Sequence, residues 1–404
     1  DLSYGEVNYL ALDDNEKSML ENLASMKKSG EIKSIIVLIN SANALQVDFL
    51  KNNDYDVDAA LWIGDVGISG INAVAQILVG DVNPSGSLVD TYCYDNYSAP
   101  AMWNFTPSVY DGYVEGGDVP AKGSTYMIYQ EGIYVGYKYY ETRYEDYVMG
   151  AGNSGDYAYG DIVAYPFGYG LSYTDFKFSD MTVNYNDALD VYTVAVKVTN
   201  TGAVAGKRTV QLYVQSPYTD YDKQNGVEKA AVALVGFGKT GELAPGTSEI
   251  VTMNVNKRDI ASYDTYGAGT YILDAGDYYF TAANDAHEAV NNILAAKGYT
   301  VASTNGKMTA DGDADLTYAW TEDKLDTTTY SVSENGTAIT NQLSCADPNL
   351  YDGEDNTVTW LSRSDWNGTL PTETVKLALT EQLKKDLQDI RYDPADYELS
   401  LIHI

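Results

Sequence analysis

The first part of the chain alternates between helical and strand-like patterns of apolar residues. Met19, Leu20, Leu23 and Met26 recur at helical spacing within residues 13–28, which predicts an amphipathic helix. The runs that follow are almost unbroken in apolar residues, as is typical of parallel strands buried on both faces. This order predicts right-handed βαβ units in an open α/β domain. The further predicted elements are strands at Ile32–Asn40, Asp58–Gly64 and 87–93, helices at 43–52 and 69–79, and a turn at Asp81–Gly86.

A different pattern begins near Phe176, where short runs alternate between apolar and polar residues up to about residue 280. Five or more such runs, separated by turn residues, predict a β-sandwich. Residues 95–160 are rich in Tyr, Gly and Asp and show little periodicity, which is typical of long covering loops. Residues 301–372 are polar and predict an extended linker with some strands, whereas residues 374–390 predict an amphipathic helix.

The charge of the chain limits its partners. It contains 58 acidic and 25 basic residues, and its formal net charge of −33 repels nucleic acid and anionic membranes. No run approaches the ~18 apolar residues that a membrane-spanning helix needs. The first residues lack the basic and apolar blocks of a signal peptide.

The cysteines and histidines are too few for several kinds of site. Cys93 and Cys345 lie far apart in the sequence, so neither a disulfide framework nor a cysteine metal site is predicted. His287 and His403 are the two histidines, which argues against a Ser–His–Asp centre or a histidine-rich metal site. We expect His287 to cap or pack near the last strand of the β-sandwich, and no cofactor is predicted.

One acidic string has the spacing of a calcium-binding loop. Asp311, Asp313, Asp315 and Glu322 fall at positions 1, 3, 5 and 12 of that pattern. Leu316, however, stands where the loop needs glycine, and no helices are predicted on either side. The string therefore favours a solvated acidic turn over a metal site.

Three groups of motifs occur in an order that points to one family. The first is ALWIGDVGISG at 60–70, continued through the NPSG turn to the string LVDTY that ends at Tyr92. The second pairs EGIYVGYKYYET, Glu131–Thr142, with YPFGYGLSYTDF, Tyr165–Phe176. The third comprises VTNTG, beginning at Val198, and LVGFG, beginning at Leu234. Together these motifs resemble glycoside hydrolase family 3, a family of β-glucosidase-like enzymes.

The resemblance implies a fold class of α/β plus all-β: an open, flavodoxin-like α/β sandwich domain, then a fibronectin type III-like β-sandwich, a polar linker and a C-terminal helix. Because about 100 residues follow the β-sandwich, the order resembles permuted family members in which the TIM barrel comes last. The expected layout is the α/β domain at 1–175, the fibronectin-like domain at 176–300, the linker at 301–372, the helix leading toward the barrel at 373–398, and a sequencing-adapter artefact, LSLIHI, at 399–404.

Members of this family are retaining enzymes, and the resemblance implies the same mechanism here. In them an Asp on the barrel attacks the sugar, and a Glu from the α/β domain protonates the leaving oxygen. The family motif GEGxD aligns with Asp1 as its last residue, which places that Glu just upstream of the chain. Glu6, which also follows a glycine, is the rival candidate within it. Asp365, in the string RSDW, resembles the family nucleophile, but a polar linker precedes it, so a structural role is predicted.

Several glycines suit tight turns at element ends. Gly64, Gly67 and Gly70 lie where a predicted strand gives way to a helix, and we favour a turn over direct sugar contact there. Gly168 and Gly170 predict a bend that joins the two domains.

The resemblance thus implies a fragment of an exo-acting β-glycosidase that acts on a terminal β-glucoside or oligosaccharide and is inactive alone. The alternative is a non-catalytic carbohydrate-binding or cell-surface module, which has no need of buried parallel strands. Substrate-contacting residues, the sugar and the oligomeric state, including a homo-oligomer, stay open. So does the location in a bacterial cell, either cytoplasmic or cell-associated.

Overall fold

The structure is a computed structural model, and it describes residues 3–4 and 7–388. Its first layer combines a short two-stranded parallel sheet with two helices. A capping box between Asp13 and Glu16 starts the first helix, and Gly30 ends it in the left-handed conformation. The elements of this layer are α1 (Asp14–Ser29), β1 (Ile36–Ile39), β2 (Ala59–Trp62) and α2 (Gly67–Leu78), preceded by the strand pair Ser3–Tyr4 and Val7–Asn8.

The sheet of this layer is buried on one face. Leu20 from α1 packs with Ile35 and Ile39 in a common core. The other face of β1 is open, because Ile36 and Leu38 are 48% and 38% exposed. The prediction of strands buried on both faces is therefore wrong for the described residues: α1 covers one face, and the other is partly exposed.

Two further elements differ from the sequence prediction. The strand predicted at 87–93 is limited to β3 (Tyr92–Cys93), and it pairs antiparallel with β4 (Val163–Tyr165) instead of joining β1 and β2. The helix predicted at 43–52 is one 3₁₀ turn, Asp48–Lys51. The Val47 amide before this turn donates to the Cys93 carbonyl instead of to a carbonyl of a helix.

The Tyr-rich region predicted as loops contains a buried helix, α3 (Tyr137–Met149). Periodicity fails to show this helix because polar and apolar side chains are buried on the same faces. Gly150 ends α3 in the left-handed conformation. The buried side chains of α3 are Tyr139, Tyr140, Glu141, Thr142, Tyr144, Glu145, Asp146 and Val148. The rest of the region holds a strand pair at Ser108–Val109 and Thr125–Tyr126 and a helical turn at Tyr159–Ile162.

The predicted β-sandwich is confirmed as two packed antiparallel sheets. Val194, Val196 and Val198 alternate along one strand and pack against Leu212 and Phe280 of the facing sheet. The strands are β5 (Phe176–Asn186), β6 (Val191–Asn200), β7 (Thr209–Gln215), β8 (Ala233–Lys239), β9 (Ser248–Asn256), β10 (Gly276–Ala283) and β11 (Thr317–Glu322), with a small pair at Ser262–Asp264 and Thr270–Ile272. One sheet has the order β9–β6–β5, and the other has the order β8–β7–β10–β11.

Part of the predicted linker belongs to this sandwich, because β11 pairs with β10 along its whole length. The helix α4 (Ala286–Ala296) follows β10 directly and packs against α3. Short helical turns lie at Asp220–Asn225, Pro348–Tyr351 and Trp366–Thr369. Among residues 3–4 and 7–388, no helix has the length and apolar character to cross a bilayer.

The C-terminal helix begins later than predicted. It begins at Glu381 and forms α5 (Glu381–Gln388), whereas residues 374–380 are extended. Their amides are bound by side chains elsewhere, because Val375 donates to Asn104 and Leu377 donates to Tyr126. These contacts outweigh the helical periodicity of the segment. Residues 389–398 of the predicted helix lie outside the described residues.

Candidate functional site

The string RSDW forms a buried anchor on α3, which we call the α3 anchor: Arg363 and Trp366 bound to Glu145 and Asp146. The Arg363 guanidinium lies 3.1 Å from a Glu145 carboxylate oxygen and 2.5 Å from an Asp146 oxygen. It also donates to the carbonyl of Lys229 at 3.1 Å. All three charged side chains are buried, so the Arg363 charge compensates the carboxylates where water cannot.

Trp366 fills the other half of the anchor. Its indole N–H donates to Asp146 at 2.8 Å, and its ring meets those of Tyr134 and Tyr139 edge-on. Asp365 points away from this cluster: it is exposed and accepts from Gly368 as the N-cap of a helical turn. The structure therefore gives Arg363 and Trp366 a packing role, and Asp365 a capping role.

Glu145 is not placed to act as a general acid. Burial raises the pKa of Glu145, but the charges of Lys297 and Arg363 outweigh burial, so its pKa lies below the ordinary value. Both carboxylate oxygens are occupied, one by Gln215 and Lys297 and the other by Arg363. A general acid needs a raised pKa and an accessible proton, and Glu145 has neither.

A cleft of about 480 Å³ opens beside the α3 anchor. Aromatic faces in such a cleft could stack on sugar rings, but cations already cover them here. Lys297 lies 5.3 Å from the ring centre of Tyr279, and Arg363 lies 5.0 Å from that of Tyr218. We therefore assign this cleft to the packing between α3 and the β-sandwich.

His287 joins three parts of the chain just after β10. One ring nitrogen lies 2.8 Å from a Glu141 oxygen, and the other lies 2.7 Å from the Thr309 hydroxyl. The imidazole stacks on Tyr159 with ring centres 3.7 Å apart. The predicted packing of His287 next to the last strand thus takes the form of a link between α3, α4 and the segment that follows α4.

Three acidic side chains of the string at 311–322 each bind a different partner. Asp311 accepts from the Val301 amide, and Asp313 caps a 3₁₀ turn by accepting from Asp315. Glu322 pairs with Lys257 at 2.6 Å. In the described part of the chain, no group of three or more His, Cys, Asp or Glu side chains is arranged to hold a metal.

Gly64 and Gly67 lie where the sequence predicts a turn, whereas Gly70 lies inside α2. Gly64 and Gly67 have φ of +54° and +58° between β2 and α2, a conformation that favours glycine. At the domain bend, a Cβ on Gly168 would meet the Gln211 side chain at 2.1 Å, and one on Gly170 would meet the Gly86 carbonyl at 2.3 Å. The bend is therefore packed directly against the β-sandwich and the NPSG turn.

Of the remaining predicted positions, the structure describes the two cysteines. Cys93 is buried, Cys345 is exposed, and both are free thiols. Glu6, Asp1 and His403 lie outside the described residues, so the structure places none of them.

Sequence reasoning missed Glu145 and Asp146, the partners of Arg363. A signal was present in the string YEDY: two adjacent acidic residues among tyrosines would be costly to bury without a cation.

An open α/β layer joined by a glycine bend to a fibronectin-like sandwich defines the class of protein. Residues 4–137 match the glycosyl hydrolase family 3 C-terminal domain, and residues 208–286 match the fibronectin type III-like domain. These two matches together cover more than half of the chain. The chain belongs to glycoside hydrolase family 3, and the resemblance and fold class predicted from its motifs are confirmed.

Several of the relatives that this chain resembles are beta-glucosidases, and others are exo-alpha-(1->6)-L-arabinopyranosidases. The beta-glucosidase of Ruminococcus albus is 33% identical over 282 residues, which are 69% of this chain and 25% of that protein. Beta-glucosidase A of Butyrivibrio fibrisolvens is 35% identical over 263 residues, or 61% of this chain and 28% of that protein. The chain thus spans about a quarter of the length of these relatives.

A solved structure shares the fold. Beta-glucosidase 3B of Thermotoga neapolitana, solved in complex with alpha-D-glucose, superimposes with a TM-score of 0.56 and 26% identity. The match covers 78% of this chain and 35% of that one.

Proposed function

We propose that the chain is the accessory portion of a retaining, exo-acting β-glycosidase that hydrolyses terminal β-linked sugars. In this proposal the nucleophilic Asp lies on a barrel outside the chain, and the acid/base Glu lies just upstream of Asp1. The observation that carries the proposal is the match to β-glucosidases at 33–35% identity across both domains. A purely sugar-binding module, the alternative, has no need of the parallel layer β1–β2.

The geometry supports an accessory role. A retaining glycosidase needs two carboxyl groups about 5 to 5.5 Å apart that face a sugar pocket. The close carboxylates of the α3 anchor are buried and bound to Arg363, so they cannot approach a substrate. A role as scaffold and pocket wall fits this arrangement. A barrel placed after residue 398, as in permuted members, would complete the enzyme.

Hydrolysis of an aryl β-glucoside tests the proposal. The 404-residue chain should show no turnover, whereas the gene extended in both directions should be active. Glu6→Gln in the extended protein should retain activity, and a Gln in place of the Glu upstream of Asp1 should abolish it. Turnover by the 404-residue chain that is lost in Glu6→Gln would instead make Glu6 the acid/base.

A further inference from the structure

A hydroxyl, an imidazole and a carboxyl group form one hydrogen-bonded row beside α4. The Thr309 hydroxyl lies 2.7 Å from Nε2 of His287, and Nδ1 of the same ring lies 2.8 Å from Oε2 of Glu141. Thr309 is exposed, the His287 side chain is 15% exposed, and Glu141 is buried on α3. A carboxylate inside, a histidine between and a hydroxyl residue at the surface are the arrangement by which a histidine activates a nucleophile.

The partners of the His287 ring fix where its proton lies. A carboxylate only accepts hydrogen bonds, so Nδ1 donates to Glu141, and Nε2 keeps the lone pair that can take the Thr309 proton. The second oxygen of Glu141 accepts from the Tyr159 hydroxyl at 2.5 Å, and the imidazole stacks on the Tyr159 ring. The ring is therefore held in the tautomer and orientation that a general base needs.

Thr309 is held in place from its other side. Its amide donates to the Tyr144 hydroxyl at 2.9 Å, and its side-chain oxygen accepts a long hydrogen bond, of 3.4 Å, from the Asn291 side chain. Tyr144 donates its own proton to Asn291 at 2.7 Å, and its oxygen lies 3.3 Å from that of Thr309. Nε2 of His287 is thus the nearer acceptor for the Thr309 proton.

The backbone after Thr309 lies against α4 and offers a donor. At Gly312 it packs so closely that a Cβ would meet the Asn291 carbonyl oxygen at 2.1 Å. Within the described part of the chain, the Ala310 amide has no hydrogen-bond acceptor. In α/β-hydrolases the amide of the residue after the nucleophile binds the oxyanion that forms during acyl transfer, and the Ala310 amide follows Thr309 in the same way.

We propose that Thr309 and His287, with Glu141 orienting the ring, form a second catalytic centre that hydrolyses small neutral carboxylic esters. The Thr309 oxygen attacks the acyl carbon while its proton passes to Nε2 of His287. The bond from the acyl carbon to the alkoxy oxygen breaks, and the leaving alcohol takes that proton. Water then attacks the acyl–Thr309 ester and gives a proton to His287. The acid is released, and the proton returns to the Thr309 oxygen.

Charge and crowding define the class of substrate. Asp285, Glu288 and Asp311 lie within two residues of His287 or Thr309 along the chain, so their charges repel an ester that carries its own carboxylate. The methyl group of Thr309 stands beside the attacking oxygen, which favours a small acyl group such as acetyl. The low histidine content argues against a Ser–His–Asp centre, but a centre of this kind needs only one histidine with both nitrogens bound.

Release of p-nitrophenol from p-nitrophenyl acetate by the 404-residue chain tests this centre. We expect turnover above the buffer rate, which Thr309→Val lowers about tenfold or more, because the variant keeps the side-chain shape but has no nucleophile. Thr309→Ser should retain activity. Thr340→Val is the matched control: Thr340 is exposed and its hydroxyl is bound by Gln342, so its loss should leave the rate unchanged. His287→Gln should lose activity as Thr309→Val does, and if it lowers the thermal midpoint, the exposed Thr309 decides.

Mass spectrometry after an acid quench locates the acyl group. We expect an acetyl group on Thr309, since an activated ester acylates the nucleophile faster than water removes the acyl group. Hydroxylamine should remove it, because hydroxylamine cleaves esters and leaves acetyl-lysine intact.

Three results would overturn the inference: a rate no higher than that of buffer, an unchanged rate in Thr309→Val, or acetyl groups on lysines alone. An unchanged rate in Thr309→Val would assign the turnover to a side chain that attacks the ester directly. Because p-nitrophenyl acetate has no glycosidic bond, failure here leaves the aryl glucoside experiment untouched, and the two proposals fail separately.

Discussion

Arg363 neutralises two buried carboxylates at once, so the chain depends on this residue more than on any exposed ion pair it contains. Arg363→Met keeps most of the side-chain volume but leaves Glu145 and Asp146 without their common cation. We expect the free energy of unfolding, measured by urea titration, to fall by about 3–5 kcal/mol. Lys197→Met removes an exposed pair with Asp180 and should cost less than ~1 kcal/mol. Similar losses in both variants would contradict this view of the anchor.

Asp274 gives the stability of the chain a pH dependence. It is buried with Lys229 and Asp222, and burial raises its pKa from 3.8 to about 6 against the opposing charge of Lys229. A raised folded-state pKa means that folding binds a proton between these values. The stabilisation is therefore complete below about pH 4 and is lost as the pH rises through about 6.

Thermal unfolding measured from pH 4 to pH 7 tests this assignment. The titration of Asp274 should lower the melting temperature of the wild type as the pH rises across this range, and Asp274→Asn should remove this contribution. Asp326→Asn is the control, because the pKa of Asp326 is lowered to about 2 by hydrogen bonds from Thr328 and Thr329 that outweigh its burial. The stabilisation from Asp326 is lost only below about pH 4. Above that pH, the melting temperature of Asp326→Asn should therefore change with pH as that of the wild type does. Parallel curves for wild type and Asp274→Asn would refute the assignment.

At the scale of elements, the bend between the domains needs a glycine at position 168. Gly168 has a φ of +89°, and the Gln211 amide that a Cβ would strike is held by the carbonyls of Gly168 and Asn284. Gly168→Ala should therefore cost about 2–5 kcal/mol, since backbone strain and overpacking add. Gly80 has a φ of +84° but open space around it, so Gly80→Ala should cost only about 1–2 kcal/mol. Equal melting temperatures of the two variants would show that the close contact with Gln211 adds no cost.

Elements stabilised by their own residues could be predicted from the sequence, and those stabilised from elsewhere could not. The caps and periodicity of α1 predict it almost to the residue. The helix α3 buries charged side chains whose partner, Arg363, lies more than 200 residues away, so no local pattern reveals it. The same holds for residues 374–380, whose helical periodicity is overridden by Asn104 and Tyr126.

The candidate sites follow the same rule. The structural role predicted for the string RSDW fits the N-cap that Asp365 forms and the buried ion pairs that Arg363 makes. Its partners on α3 depend on three-dimensional packing and could not be named from spacing. The hydrogen bonds that join Asn104 to Gln130 and to Val375 are likewise hidden from the sequence, because only the fold brings these segments together.

At the scale of the whole molecule, exposed apolar side chains on the α/β layer compete with a large negative charge. Ile68 on α2 is 99% exposed and Ile71 is 50% exposed, which favours association, whereas a formal net charge of −33 keeps chains apart. Salt screens the repulsion, with a Debye length of about 10 Å at 0.1 M, but leaves apolar attraction intact. We therefore expect self-association that grows with NaCl concentration.

Sedimentation velocity at low and high NaCl measures this competition. Ile68→Lys places a charge on the exposed face of α2 and should lower the associated fraction at high salt severalfold. Phe237→Lys adds the same charge at an apolar site on the β-sandwich that is 71% exposed, so it controls for the change in net charge alone. If both variants associate alike, the α/β layer is not the contact surface. If association falls as salt rises, charge pairing rather than apolar contact holds the chains together.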